Sequence, residues 1–178
     1  SIFFLLTSYE WIKMSKSELL KFLGIIYLIF VCYIAYLFRG FSLDDFFVFL
    51  FVIIICIFTD IGGYIFGKLF KGPKLTKISP NKTYAGVIGS YFFSIIFAYF
   101  YIIKYSNILN NESEFLIKVI IISTVSQFGD LFISYFKRLA KIKNTGRLLP
   151  GHGGLLDRVD GIIFAIPFGY FYMIVFNL

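Results

Sequence analysis

The sequence is short of the residues that many catalytic sites are built from. It has one histidine, His152, so a multi-histidine metal centre is excluded. Its two cysteines, Cys32 and Cys56, both lie inside apolar runs and read as small buried hydrophobes, not as a disulfide. No Walker A pattern is present, which excludes a P-loop nucleotide enzyme. No alternating strand pattern of the outer-membrane barrel type is visible. There is no internal repeat, and no low-complexity stretch beyond the apolar bias. Neither an initiator methionine nor a signal-peptide layout opens the chain. It begins at Ser1 with a short apolar run, so the expectation is an N-terminally truncated protein whose first segment is the end of a cut helix.

What the chain has in abundance is apolar. Of its 178 residues, 59% are hydrophobic, with 25 phenylalanines and 13 tyrosines. Soluble domains sit at about 45–50%, and a chain of this size needs more polar surface than this to cover a globule in water. The expected solvent is lipid. About 20 apolar residues cross the hydrocarbon core as a helix. Five runs qualify, at 19–38, 43–66, 84–105, 115–136 and 159–178, with a partial sixth at 2–7. Isoleucine, phenylalanine and valine are weak helix formers in water, but in lipid each backbone group must be paired within its own segment. The predicted fold is all-α: a polytopic membrane helix bundle forming a single transmembrane domain over residues 1–178, with five full helices and an N-terminal partial one.

The net charge is +7, which in a soluble protein would suggest nucleic acid. The positions of the charges argue otherwise. Lys13, Lys16 and Lys21 lie in the loop 10–21; Lys68, Lys71, Lys74, Lys77 and Lys82 in the loop 67–83; Lys137, Arg138, Lys141, Lys143, Arg147 and Arg158 in the loop 137–158. The turn 39–45 sets Arg39 against Asp44 and Asp45, and the loop 106–114 has no basic residue. The positive-inside rule then puts the three lysine-rich loops in the cytosol and the C-terminus outside. The bilayer, not nucleic acid, is then the expected partner, and the expected location is the inner membrane, multi-pass, with the active site facing the cytosol. Topology and headgroup anchoring account fully for the first basic loop. The other two also carry glycine, proline and carboxylates, which topology does not require.

Acidic residues within spans are costly and mark function. Asp60 and Asp130 lie near the cytosolic ends of their helices, and Asp157 and Asp160 at the start of the last one, so four carboxylates share one depth. Asp157 and Asp160 are spaced i, i+3 and face the same way if the helix has begun. Oxygen-only ligands favour a hard cation such as magnesium. The competing reading is that each aspartate pairs with a lysine or arginine, or caps a helix N-terminus. The segment Pro150-Gly151-His152-Gly153-Gly154 leads into that helix. Glycines expose backbone N–H groups, and a helix N-terminus attracts phosphate. Lys137, Arg138, Lys143 and Arg158 supply charge; His152 either donates to a phosphate or is a satisfied structural histidine. A second loop, Ser79-Pro80-Asn81-Lys82-Thr83, opens the third full helix with ordinary N-cap residues that would also suit phosphate.

These residues resemble the phosphatidate cytidylyltransferase family. Ser134, Lys137-Arg138, Lys143, Gly146, His152-Gly153-Gly154 and Asp157-Arg158-Val159-Asp160 match its signature in order and spacing. Asp60-Ile61-Gly62-Gly63-Tyr64 with Gly67-Lys68, the loop Ser79–Thr83, and Gln127-Phe128-Gly129-Asp130 resemble three further family blocks, all within 60–160. Two departures stand out: Asn144, where the family has aspartate, and Ala85, where many relatives carry an acidic or amide residue. The resemblance implies transfer of a cytidylyl group from CTP to phosphatidic acid, giving CDP-diacylglycerol and pyrophosphate. It implies Asp130, Lys137, Asp157 and Asp160 as catalytic residues. Magnesium would sit on Asp130, Asp157 and Asp160, with room for a second cation. Ser79, Asn81, Lys82, Thr83, Arg138, Lys143, His152, Gly153, Gly154 and Arg158 would bind substrate. A homodimer is compatible with it. Rival readings are a CTP-dependent enzyme acting on another membrane lipid, and a cation-coupled transporter with Asp60 and Asp130 on its path. The latter would place its acids at the midplane.

Overall fold

The computed structural model describes residues 2–105, 112–146 and 153–175. Apart from isolated bridge residues, among them the pair Lys74 and Thr83, the regular structure among these residues is helical. The elements are α1 (Ile2–Met14), α2 (Glu18–Arg39), α3 (Leu43–Phe70), α4 (Tyr84–Tyr105), α5 (Glu112–Leu139), α6 (Leu156–Val159) and α7 (Ile162–Val175). Four of them, α2 to α5, are long and apolar enough to cross a membrane. The 22 residues of α2 extend about 33 Å at 1.5 Å per residue, enough for a hydrocarbon core of about 30 Å.

Both ends of the chain differ from expectation. The last span was expected to start at Val159 and run unbroken. Instead α6 ends at Val159 and α7 begins at Ile162. Asp160 and Gly161 separate them, and the Asp160 carboxylate accepts the Gly161 N–H at 3.1 Å. A side chain competing for a local backbone donor, next to a glycine, is a poor site for an uninterrupted helix. Over its described 14 residues α7 extends about 21 Å, short of a full crossing. At the other end, the partial helix expected at 2–7 runs on to Met14, through half of the expected loop 10–21. Tertiary packing explains the extension: Thr7, Glu10, Trp11 and Met14 lie on one side of α1, all buried. The Trp11 indole N–H donates to the Leu20 carbonyl at 2.9 Å and fixes the α1–α2 corner.

The turn between α2 and α3 follows the sequence closely. Gly40 ends α2 with φ 57°, and Ser42 caps α3 by accepting the Asp45 N–H at 3.0 Å. Asp44 and Asp45 sit in the first turn of α3, where negative charge is favoured.

Two apolar clusters hold the bundle. One gathers Val52, Ile55 and Cys56 of α3, Ala98 of α4, Phe115 and Val119 of α5 and Ala165 of α7. The other joins Trp11, Leu28, Ile133, Leu156 and Ile163 and lies behind the site described below. Tyr33, Ile88, Phe100 and Phe128 remain exposed, as expected of side chains that meet lipid tails. α3 and α4 approach each other through small residues. A Cβ on Gly62 would lie 2.2 Å from the Gly89 carbonyl oxygen, so this contact admits only glycine. The close approach brings Asp60, half a turn before Gly62, to the side of the loop carrying Lys82.

Candidate active site

The carboxylates come together with lysines. Asp130, on α5, makes an ion pair with Lys82 from the loop preceding α4. Its other oxygen accepts the Ser134 hydroxyl one turn along α5 at 3.2 Å. Lys137, the next turn again, reaches Asp157 at 2.9 Å and Asp160 at 3.5 Å. Its side chain is 8% exposed, and those of Asp157 and Asp160 are 11% and 9%. Residues 157 and 160 share one face through the turn of α6, so one ammonium meets both. Asp60, Asp130 and Asp160 lie close enough to feel one another's charge, and Lys82 and Arg158 act on Asp60 as well. Four carboxylates from three segments, interleaved with cations, therefore form one cluster. Its assembly follows the expected convergence at one depth.

Asp157 is the most tightly held. Its second oxygen accepts the backbone N–H of Thr145 and of Gly154, both at 2.9 Å. Burial alone would raise its pKa. The Gly154 N–H, the Lys137 ammonium and the Thr145 N–H outweigh burial and hold the carboxyl below the usual carboxylate value. Gly153 has φ +87°, a conformation that favours glycine, and a Cβ there would lie 2.8 Å from the Asp157 carboxylate.

The remaining predicted residues divide into groups. Thr83 caps α4, accepting the Gly86 N–H at 3.1 Å, and is buried. Ser79 and Asn81 lie on the loop that turns back toward Lys82, whose N–H donates to the Ser79 carbonyl at 3.0 Å. Arg138 is exposed and donates to the carbonyls of Ile78 at 3.1 Å and Ile142 at 3.0 Å, so it ties the two basic loops together. Lys143 and Asn144 are exposed on the loop after α5. His152 lies outside the described residues. Among the described residues, no group of three or more His, Cys, Asp and Glu side chains is arranged to hold a metal ion. The donor set of Asp130, Asp157 and Asp160 has the hard-oxygen chemistry for magnesium, but lysine ammonium groups lie against it. Magnesium is commonly bound by one or two carboxylates together with substrate phosphates, so two of these aspartates suffice.

Sequence reasoning missed Glu10. The charge pattern places it in the loop 10–21, yet it is a buried residue of α1, 1% exposed. Its Oε1 accepts the Leu155 N–H at 3.0 Å; its Oε2 accepts the Leu156 N–H and the Thr145 hydroxyl, both at 2.8 Å. Gly154 makes its close approach here: a Cβ would lie 2.4 Å from the Glu10 carboxylate. An apolar cavity of about 280 Å³ adjoins the cluster, lined by Trp11, Tyr27, Phe132, Phe136, Leu156 and Phe164 among others.

The fold and site define a membrane-embedded helical protein with a half-buried cluster of carboxylates and cations at one end of its helices. Comparison with known proteins gives the family. The chain belongs to the cytidylyltransferase family, whose model matches residues 1–176. It is 39% identical over 134 residues to a phosphatidate cytidylyltransferase of Haemophilus influenzae, covering 72% of this chain and 46% of that protein. It is 45% identical over 114 residues to one of Rickettsia typhi, covering 61% of this chain and 50% of the relative. With one of Staphylococcus aureus the identity is 43% over 121 residues, covering 66% and 45%. The chain thus spans about half the length of the curated relatives it matches.

Proposed function

We propose that this protein transfers a cytidylyl group from CTP to phosphatidic acid, with the active site at the cytosolic face of the inner membrane. The observation that carries this reading is the interleaving of Lys82 and Lys137 with Asp130, Asp157 and Asp160. Membership of the cytidylyltransferase family and the names of the relatives support it. An oxygen of the phosphatidic acid phosphate attacks the α-phosphorus of CTP. A new P–O–P link forms, the bond to the β-phosphate breaks, and pyrophosphate leaves. CDP-diacylglycerol stays in the bilayer.

The protein's part is positioning and charge neutralisation. Two phosphates must approach each other, and both are anionic. Lys82 and Lys137 exchange their carboxylate partners for phosphate oxygens, and Lys143 and Arg158 add positive charge from the second basic segment. Ser79, Asn81, Thr83, His152 and the Gly153-Gly154 backbone contact the nucleotide. Arg138 keeps the two basic loops at a fixed separation. When bound, magnesium supplies the positive charge that neutralises the nucleotide phosphates, and Asp130 and Asp157, with Asp160 next, would hold it. Asp60 supports the same charge cluster. The neighbouring apolar cavity gives the start of an acyl chain a place beside the reacting headgroup.

The test is pyrophosphate release by purified protein in detergent, with CTP and with or without phosphatidic acid. Release that needs both substrates is expected. Release that proceeds equally with another lipid phosphate would overturn the assigned acceptor, and no release with either would overturn the enzyme reading.

A further inference from the structure

We propose that Glu10 is a positioning residue that sets the geometry of Asp157. The inference rests on the cytidylyltransferase reading for its kinetic consequence, but its structural content stands apart from it. Two segments meet at Asp157: residues 143–146 after α5, and residues 153–156 before and into α6. Apart from Leu156, which opens α6, neither segment lies in a helix. Thr145 and Gly154 each direct a backbone N–H to one Asp157 oxygen. Behind this contact the two segments are joined a second time, by Glu10 from the opposite end of the chain. One oxygen takes the Leu155 N–H; the other takes the Leu156 N–H and the Thr145 hydroxyl. The carboxylate thus bonds to both segments at once, immediately behind the residue they present.

The chemistry requires a carboxylate. Three donors converge on two oxygens, and all three hydrogen bonds have the side chain as acceptor. An amide at this position would turn an N–H₂ group toward at least one N–H or O–H donor. A buried donor left facing another donor loses its partner and its water together. A shorter side chain would fall about 1.5 Å short of the loops, one carbon–carbon bond. Gly146 and Gly154 flank the site and permit the approach: a Cβ on either would lie within 2.5 Å of a Glu10 oxygen. α1 itself is anchored independently through the Trp11 indole N–H on the Leu20 carbonyl, so the Glu10 carboxylate is a pin on a rigid support. It touches no substrate and acts through Asp157.

The experiment compares Glu10→Gln with unmodified protein by amide hydrogen exchange and by kinetics. Met14→Ala, a packing change on the same helix, serves as the control. The decisive amides are those of Thr145 and Gly154, which bond to Asp157 and not to Glu10. In Glu10→Gln they should lose protection by at least tenfold, together with Leu155 and Leu156. In Met14→Ala they should stay protected even though the melting temperature falls. Turnover in Glu10→Gln should drop by roughly ten- to a hundredfold, the penalty for misplacing a reacting geometry by about 1 Å, with KM for CTP changing much less. Should Glu10→Gln fail to fold, Thr145→Val removes one of the three bonds without changing side-chain shape, and the same loss of protection at Gly154 is expected. Unchanged protection of Thr145 and Gly154 in Glu10→Gln, or an equal loss in Met14→Ala, would overturn the proposal. Should the unmodified protein show no cytidylyl transfer, the functional reading fails, and the exchange data alone still decide the role of Glu10.

Discussion

Lys137 serves two aspartates with one ammonium in a place where little water reaches. Removing one partner from a buried ion pair costs about 3–5 kcal/mol, because the remaining charge has neither water nor counterion. Lys137→Met keeps most of the volume and leaves Asp157 and Asp160 facing each other. It should lower stability by about that much in detergent thermal unfolding. Lys143→Met, on an exposed loop, should stay within about 0.5 kcal/mol. Equal shifts in the two variants would show that the Lys137 bridge carries no net stability. Asn144 raises a separate question. Its side chain packs beside Gly153, whose missing Cβ would lie close to both Asn144 and the Asp157 carboxylate. We expect Asn144→Asp to be tolerated and to steepen the magnesium dependence of turnover: a further carboxylate repels Asp157 without a cation and adds a ligand with one. A magnesium titration of both forms tests this, and complete loss of activity at saturating magnesium would show a site rebuilt around the amide. Asp130, Asp157 and Asp160 were legible in the sequence because a carboxylate beside a long apolar run is costly and stands out, and Lys137 through the basic loop and the family signature. Glu10 was not. It sits among lysines in what looks like a loop, and two of its three partners are backbone N–H groups, which no sequence letter marks.

At the scale of elements, α3 and α4 form the tightest pair. The cause is the close approach at Gly62, Gly63, Gly67, Gly86 and Gly89, a packing role that hydropathy does not reveal. The contact of Gly62 with the Gly89 carbonyl is a backbone-to-backbone one, which cannot yield as a flexible side chain could. Gly62→Ala should therefore destabilise by about 1–3 kcal/mol, the usual cost of overpacking. Ile88→Ala, one residue away on the exposed side of α4, should change stability far less. Thermal unfolding of the two variants checks the difference, and a stable Gly62→Ala would mean that the helices can separate freely. Because Lys82 lies just before α4 and Asp60 on α3, the Gly62 variant should also weaken CTP binding. The boundaries of α2, α3 and α4 were readable from hydropathy to within a few residues. The extension of α1 and the break between α6 and α7 were not. α1 is held by Trp11 and Glu10 binding distant segments, and the break depends on one side-chain hydrogen bond at Asp160. The first is a tertiary effect that overrides local pattern; the second is a local side-chain contact that hydropathy does not register. Lys118 is a similar case: a cation buried within α5, 7% exposed and engaged with a partner, in a stretch where hydropathy alone shows only a span.

For the whole molecule, orientation in the bilayer decides whether the site can meet both of its proposed substrates. CTP is a cytosolic solute and phosphatidic acid a membrane lipid, so the reacting groups can meet only at the cytosolic interface. Lys82, Lys137 and Asp157 lie at the end of the bundle from which the basic loops emerge, as the positive-inside rule demands of a cytosolic face. Among the described residues, α2 to α5 expose many Phe, Tyr, Ile and Leu side chains, the surface expected of helices that face lipid tails. Orientation is then testable with single cysteines in a background where Cys32 and Cys56 are replaced by alanine. Lys77→Cys and Asn144→Cys should react with an impermeant maleimide only in inverted vesicles, and Asn110→Cys only in intact cells. The two inward positions are on different loops, joined through Arg138 to Ile78 and Ile142, so they should behave alike. Labelling of Asn144→Cys from the outside only would invert the topology. It would also remove the access to CTP on which the proposed reaction depends, whatever the family resemblance.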